Sequence, residues 1–270
     1  MRSRLAMAAD ARFVSSLVGM SLSLSYLSGP LPHILAHRGL HDDSPENSLR
    51  AFRSALAKGA SHLETDVRAT RDGVAVLVHD PSVGIGGTQR EIATLTYHEL
   101  IEARPDLEIA RLADALQALP EARFNIDVKD VTAVNVVVET IRHARAQGRV
   151  LVASFNESTR QKLTRLLPET PTSASRRIVL LSLVCHALRW RLGFRRVVRG
   201  ISAVQIPERF GPLRIVTTSY IRACHDAQIQ IHVWTINDPG DMRRLAALGV
   251  DGIVSDRCDV VRAVLDELAE

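Results

Sequence analysis

The amino-acid sequence predicts an α/β fold, a barrel of parallel strands alternating with helices, and three observations carry that prediction. From Ile34 onward, short apolar runs of β type alternate with helix-like stretches, the signature of βα units around a parallel sheet. The chain has 270 residues, close to the size of one such barrel. No linker, low-complexity tract or internal repeat interrupts the alternation, so a single barrel domain over residues 33–270 suffices.

The segment before it, residues 1–32, reads as an N-terminal extension. Phe13 to His33 holds no Asp, Glu, Lys or Arg and follows Arg2, Arg4 and Arg12, which resembles a signal peptide or membrane anchor. Ser15, Ser16, Ser21, Ser23 and Ser25 dilute the apolar stretch, Asp10 interrupts the basic flank, and no A-x-A site follows. An extra helix lying on the domain is therefore the expectation over secretion.

Candidate strands are Ile34–Ala36, His62–Val67, Val74–Val78, Arg123–Lys129, Val150–Ser154, Ile178–Leu181, Ala203–Ile206, Ile229–Ile236 and Gly252–Ser255. Between them Ser48–Lys58, Val131–Ala146, Glu157–Leu167, Thr217–Ala227 and Pro239–Leu248 read as helices, with Gly59 and Gly148 as stop signals. Nine candidates is one too many for an eight-stranded barrel. The surplus is expected beside Thr70–Gly73, since four residues cannot carry a helical crossover between parallel strands. One of the flanking runs should be a hairpin arm.

Composition narrows the class. With 46% hydrophobic and 24% charged residues the chain is neither disordered nor fibrous. The net charge of +4 is unevenly spread: Arg176 to Arg199 holds seven arginines and no acid, which leaves the rest of the chain at −3. A basic coat for nucleic acid is excluded, whereas a local basic patch is not. Three scattered cysteines, Cys185, Cys224 and Cys258, make neither a disulfide scaffold nor a zinc knuckle and favour a reducing, cytoplasmic setting. Cys224, His225, His232 and Cys258 likewise lack the spacing of a zinc finger.

Alternation along the strands places the chemistry. Side chains two apart share a face, so His62, Glu64 and Asp66 point one way, and so do Asn125, Asp127 and Lys129. Parallel strands normally read as continuous apolar runs, and carboxylates near their C-terminal ends sit where barrels build sites. Glu64, Asp66 and Asp127 together would need a compensating cation, and oxygen ligands suit Mg²⁺ or Ca²⁺. Spacing alone leaves open separate pairing with arginines. His37 and His79 end two other runs and suggest an acid and base pair. His232 and Trp234 share a face, making Trp234 a candidate pocket wall, with core packing as the other reading.

In order, His37-Arg38-Gly39, Pro45-Glu46-Asn47-Ser48, Glu64-Thr65-Asp66-Val67, Asp72-Gly73 and His79-Asp80 resemble the glycerophosphodiester phosphodiesterase family. Asn125 to Lys129, Ser154-Phe155, Val233 to Asn237 and Gly249 to Asp256 resemble its later blocks. The resemblance implies a TIM-type (β/α)8 barrel that cleaves a small glycerophosphodiester to an alcohol and glycerol 3-phosphate with a divalent metal ion, Mg²⁺ or Ca²⁺. It makes His37 and His79 the catalytic pair, Glu64, Asp66 and Asp127 the metal ligands, Arg38 and Lys129 the phosphate contacts, and Glu46 a neighbour of the metal.

Three positions depart from the family pattern. Asp127 stands where many members have Glu, Ser48 replaces the commoner Thr, and a short Pro81 to Gly87 stretch replaces the longer loop after the second histidine. Phospholipase D-like or cyclising activity on lysophospholipids at a membrane surface, or a noncatalytic phosphate- or lipid-binding barrel, are the competing functions. Arg189-Trp190-Arg191-Leu192-Gly193-Phe194-Arg195-Arg196 interleaves cations with two aromatics, a composition suited to peripheral contact with an anionic membrane. A solvated basic face is the plainer reading.

Overall fold

The computed structural model describes residues 26–270; the greater part of the expected N-terminal extension lies outside the described residues. Twelve strands follow one another: β1 (His33–Ala36), β2 (His62–Ala69), β3 (Ala75–Leu77), β4 (Ser82–Ile85), β5 (Thr88–Glu91), β6 (Arg123–Val128), β7 (Val150–Ala153), β8 (Ala203–Pro207), β9 (Arg209–Phe210), β10 (Leu213–Arg214), β11 (Gln230–Trp234) and β12 (Gly252–Ser255). Seven of them pair in parallel in the order β7-β6-β2-β1-β12-β11-β8.

The eighth place in the barrel is filled by a short segment with no apolar signature. Thr172 bridges Val152 of β7, and Ser173 bridges Ala203 of β8, both in parallel. The Val152 amide donates to the Pro171 carbonyl, and the Ala174 amide to that of Ala203. Thr172 and Ser173 are fully covered, yet their polar side chains give no strand pattern. Ile178–Leu181, expected as this strand, instead lies in the helix Arg176–Ala187. The Ser175 hydroxyl caps it by accepting from the Ile178 amide, and Ile178, Ser182 and Cys185 are its buried side. A short apolar run fits a buried strand and a helix equally well, and here the cap and the helical spacing decide.

The surplus strand is where the four-residue connection demanded it: β3 runs antiparallel to β2, Val67 opposite Leu77. Helices Leu49–Ala57, Val134–His143, Glu157–Leu166, Thr218–Asp226 and Pro239–Leu248 occupy the expected places. Gly148 is not the stop for the second of these: Arg145 takes the left-handed turn, at φ 49°, and Gly148 sits in the following 3-10 turn.

The outward faces of the strands supply the larger core. Leu63, Val67, Phe124, Ile126, Val128, Val152 and Ile253 pack against the helices, and each such side chain contributes about 1.5–3 kcal/mol. The barrel floor is polar and aromatic. The His33 and His62 rings lie 4.5 Å apart, Tyr26 meets His62 edge-on at 4.8 Å, and His232 stands 6.2 Å from His33. Gly252 is required beside them, because a Cβ there would approach His232 Cδ2 to 2.7 Å.

Candidate active site

Parallel strands all end at one rim, so residues at their C-terminal ends converge however far apart they lie in sequence. His37, Arg38, Glu64, Asp66, His79, Asp127, Lys129 and Trp234 all line one pocket of about 240 Å³, together with Asn125 and Phe155. Glu46 is set to one side. It belongs to a neighbouring cavity of about 590 Å³ that it shares with His79 and the hairpin β4–β5, and it pairs with Arg38 at 2.9 Å. The Pro81 to Gly87 stretch opens that hairpin, in which Ser82 is opposite Glu91.

The turn after β1 explains its sequence. Arg38 and Gly39 both have positive φ, 57° and 86°, and a Cβ on Gly39 would meet the Ala51 backbone at 2.8 Å. Only glycine fits. The turn aims the Arg38 amide at Glu64 Oε2, 3.1 Å away. Asn47 holds the next carboxylate: its Oδ1 accepts from the Thr65 hydroxyl and the Asp66 amide, and its Nδ2 reaches Asp66 Oδ2 at 3.4 Å.

Charge compensation within the pocket is uneven. Lys129 Nζ lies 2.6 Å from both Asp66 Oδ1 and Asp127 Oδ2, and Arg38 Nε is 3.0 Å from Asp66 Oδ2. Burial opposes ionisation of Asp66, but Lys129 and Arg38 outweigh it and hold its carboxyl below the usual range. Asp127 is raised by burial despite Lys129. Glu64 is pushed up to about 8, by burial first and then by the charge of Asp66. Arg38 and Lys129 are thus present at the pocket as expected, but both are engaged with carboxylates.

The residues fit a hard cation in chemistry. Asp127 Oδ1 and Asn125 Oδ1 are buried without hydrogen-bond partners, and the nearby His37 and Lys129 only partly offset the burial that opposes ionisation of Glu64. All are oxygen donors of the kind Mg²⁺ and Ca²⁺ prefer. Among the described residues, however, no group of three or more His, Cys, Asp or Glu side chains is already gathered as a metal cage, and Lys129 pairs with both Asp66 and Asp127.

Sequence reasoning assigned no role to the groups that hold the first histidine. His37 Nδ1–H donates to Asp256 Oδ1 at 2.7 Å. Asn237 Nδ2 donates to the other carboxylate oxygen at 2.7 Å, and Asn237 Oδ1 accepts from the Asp256 amide. Burial disfavours a charged His37, but the Asp256 hydrogen bond and the Glu64 charge leave its pKa raised. Both residues close blocks already noted, at the ends of predicted strands, so the criterion that selected His37 and His79 would have found them. His79 Nδ1 faces Asp80 Oδ1 at 2.8 Å. Trp234 lines the pocket and meets Phe155 edge-on, with 6.0 Å between ring centroids.

The family model for the glycerophosphoryl diester phosphodiesterase family matches residues 37–260. The chain belongs to this family. It is 39% identical over 239 residues to the probable glycerophosphodiester phosphodiesterase 2 of Mycobacterium tuberculosis, covering 86% of this chain and 89% of that one. Two solved structures share the fold. A Silicibacter pomeroyi protein described by the same family name superposes with a TM-score of 0.73 at 23% identity, covering 92% and 98% of the two chains. An Oleispira antarctica phosphodiesterase in complex with the product sn-glycerol-3-phosphate gives 0.70 at 20%, covering 87% and 97%. The chain is accordingly a TIM-type barrel and a phosphoric diester hydrolase of the glycerophosphodiester phosphodiesterase kind, which sets aside the noncatalytic barrel.

Proposed function

We propose that this phosphodiesterase hydrolyses small glycerophosphodiesters to an alcohol and glycerol 3-phosphate, with His37 and His79 as its acid and base and a divalent ion as cofactor. The observation that carries the reading is the convergence of both histidines, three carboxylates, Arg38 and Lys129 on one pocket. In the reaction an oxygen nucleophile attacks phosphorus and the bond to the leaving alcohol breaks. One histidine takes the proton of the nucleophile and the other supplies a proton to the departing alkoxide, contributions typically of ~10²- to 10⁴-fold each. Asp256 fixes the His37 tautomer with the proton on Nδ1, leaving Nε2 for the chemistry.

Mg²⁺ or Ca²⁺ would be held by Glu64, Asp66 and Asp127, with Asn125 alongside and Glu46 behind Arg38. When bound it would neutralise phosphate charge. Arg38 and Lys129, lining the same pocket, would offer their charge to the phosphate oxygens.

Exposed Phe155, Phe210 and Leu213 beside the mouth favour a second reading, phospholipase D-like or cyclising action on lysophospholipids. Peripheral membrane contact through Arg176–Arg199 belongs to this reading, since it would deliver lipid-derived diesters. No helix among the described residues is long and apolar enough to cross a membrane. Three buried free cysteines support a cytoplasmic setting.

The test is turnover of glycerophosphocholine, glycerophosphoethanolamine, glycerophosphoinositol and lysophospholipids, each with Mg²⁺ and Ca²⁺, with products identified. Release of glycerol 3-phosphate is the expected result. A cyclic phosphate points to attack by the substrate's own hydroxyl, and no turnover in any arm overturns the proposal.

A further inference from the structure

The outer wall of the barrel carries a surface that catalysis does not use. In the helix Arg176–Ala187, outside the buried stripe of Ile178, Ser182 and Cys185, Leu180, Leu181 and Val184 face solvent, at 63%, 41% and 47% exposure. Leu188, Trp190 and Leu192 continue it, at 70%, 58% and 78%. Half of the exposed large apolar side chains among the described residues thus fall within residues 180–192. A helix on a barrel wall normally turns polar residues outward, and contiguous apolar exposure of this kind marks an interaction site.

Seven arginines, 176, 177, 189, 191, 195, 196 and 199, lie in the same segment as this apolar stripe, and all are exposed. None forms an ion pair among the described residues; Arg195 donates to the Asp226 carbonyl. No Asp or Glu lies between residues 176 and 199. The helix also starts at the catalytic rim, where the Arg176 amide donates to the Phe155 carbonyl, and Phe155 lines the pocket. Around the barrel, β7, the 171–174 segment, β8 and β11 are consecutive. Phe155, Arg176, the paired Phe210 and Leu213 of the hairpin β9–β10, and Trp234 therefore occupy one side of the mouth.

We propose that residues 176–199 form a docking face for an anionic lipid surface, with the guanidinium groups on the lipid phosphates and the leucines and Trp190 among the acyl chains. Charge selects this occupant. A second copy of the chain packed symmetrically would set seven unpaired arginines against seven others. Residues 1–25 carry three arginines and one aspartate, so they too would bring positive charge to positive charge. Nucleic acid would satisfy the arginines and leave the apolar stripe in water. An anionic bilayer satisfies both, as interfacial helices do. Docking along this wall brings the Phe155 side of the mouth to the lipid, which gives the function proposed above a route to lipid-derived diesters, although the binding itself does not depend on that function.

The experiment is co-sedimentation of the full-length protein with vesicles of phosphatidylcholine alone and of phosphatidylcholine with phosphatidylglycerol. Binding is expected only with phosphatidylglycerol and should weaken as salt rises. Each arginine replaced by glutamine among 189, 191, 195 and 196 should reduce partition about fivefold. Val184→Asp with Leu188→Asp should abolish binding. All these side chains are exposed, so glycerophosphocholine turnover should match wild type in every variant. Absence of binding, equal binding to neutral vesicles, or variants that bind like wild type each overturn the proposal. So does a dimer, detected by size exclusion, that the same substitutions convert to monomer. Vesicle binding lost in the variants while the wild type turns over no diester would leave the docking face standing and remove the proposed activity; the converse result removes the docking face alone.

Discussion

Asp256→Asn isolates the group that holds His37 while leaving side-chain size unchanged. The hydrogen bond from His37, with a further one from Asn237, holds the Asp256 carboxyl down to about 2, against roughly 3.9 for a free aspartate. At 1.36 kcal/mol per pH unit that difference is roughly 2.5 kcal/mol. A third of the Asp256 side chain faces water, so solvent screening reduces this to about 1–1.5 kcal/mol. The same interaction raises His37, and the two effects are reciprocal. Asp256→Asn should therefore lower the pKa of His37 and loosen the ring, since the neutral amide can satisfy Nδ1–H only through its oxygen. The assay is the pH dependence of kcat/KM on glycerophosphocholine. The limb belonging to His37 should move toward acid, and the maximum should fall about tenfold. A profile that superimposes on wild type in position and height refutes the reasoning.

His37→Ala and His79→Ala should each reduce turnover at least ~100-fold while circular dichroism and melting stay near wild type; near-normal activity in either purified variant removes that histidine from the chemistry. Asp127→Ala should weaken the response of activity to added Mg²⁺ or Ca²⁺, and full activity in excess EDTA would dispense with the ion. The barrel floor predicts acid lability. Burial, and then the neighbouring His33, depress His62 to about 3, and burial lowers His232 as well. A histidine kept neutral in the folded state contributes stability that is present above its unfolded pKa and is lost as pH falls toward its folded one. For His62 the loss between pH 7.5 and 5 is about 2 kcal/mol. Denaturant unfolding of wild type and His62→Asn at both pH values should show wild type losing about that much more; equal losses would contradict it.

Much of the site is written in local order. Alternation along β2 and β6 put Glu64, Asp66, Asp127 and Lys129 on the inner face, because the β period depends only on neighbouring residues. Apolar runs ending in His37 and His79 marked two strand ends in the same way, and Thr70–Gly73 was too short for anything but the antiparallel arm. Closure of the barrel was not local. Pro171 to Ala174 became the eighth strand because β7 and β8 left backbone groups to be satisfied there, while the more apolar Ile178–Leu181 followed the Ser175 cap into a helix. The partnership of His37 with Asp256 joins residues 219 apart in sequence, and Lys129 spans acids from two strands. Sequence patterning determined which face each charged side chain takes. Only the tertiary structure decided which charges compensate one another, since that depends on distances across a barrel that exists only once all its strands have paired.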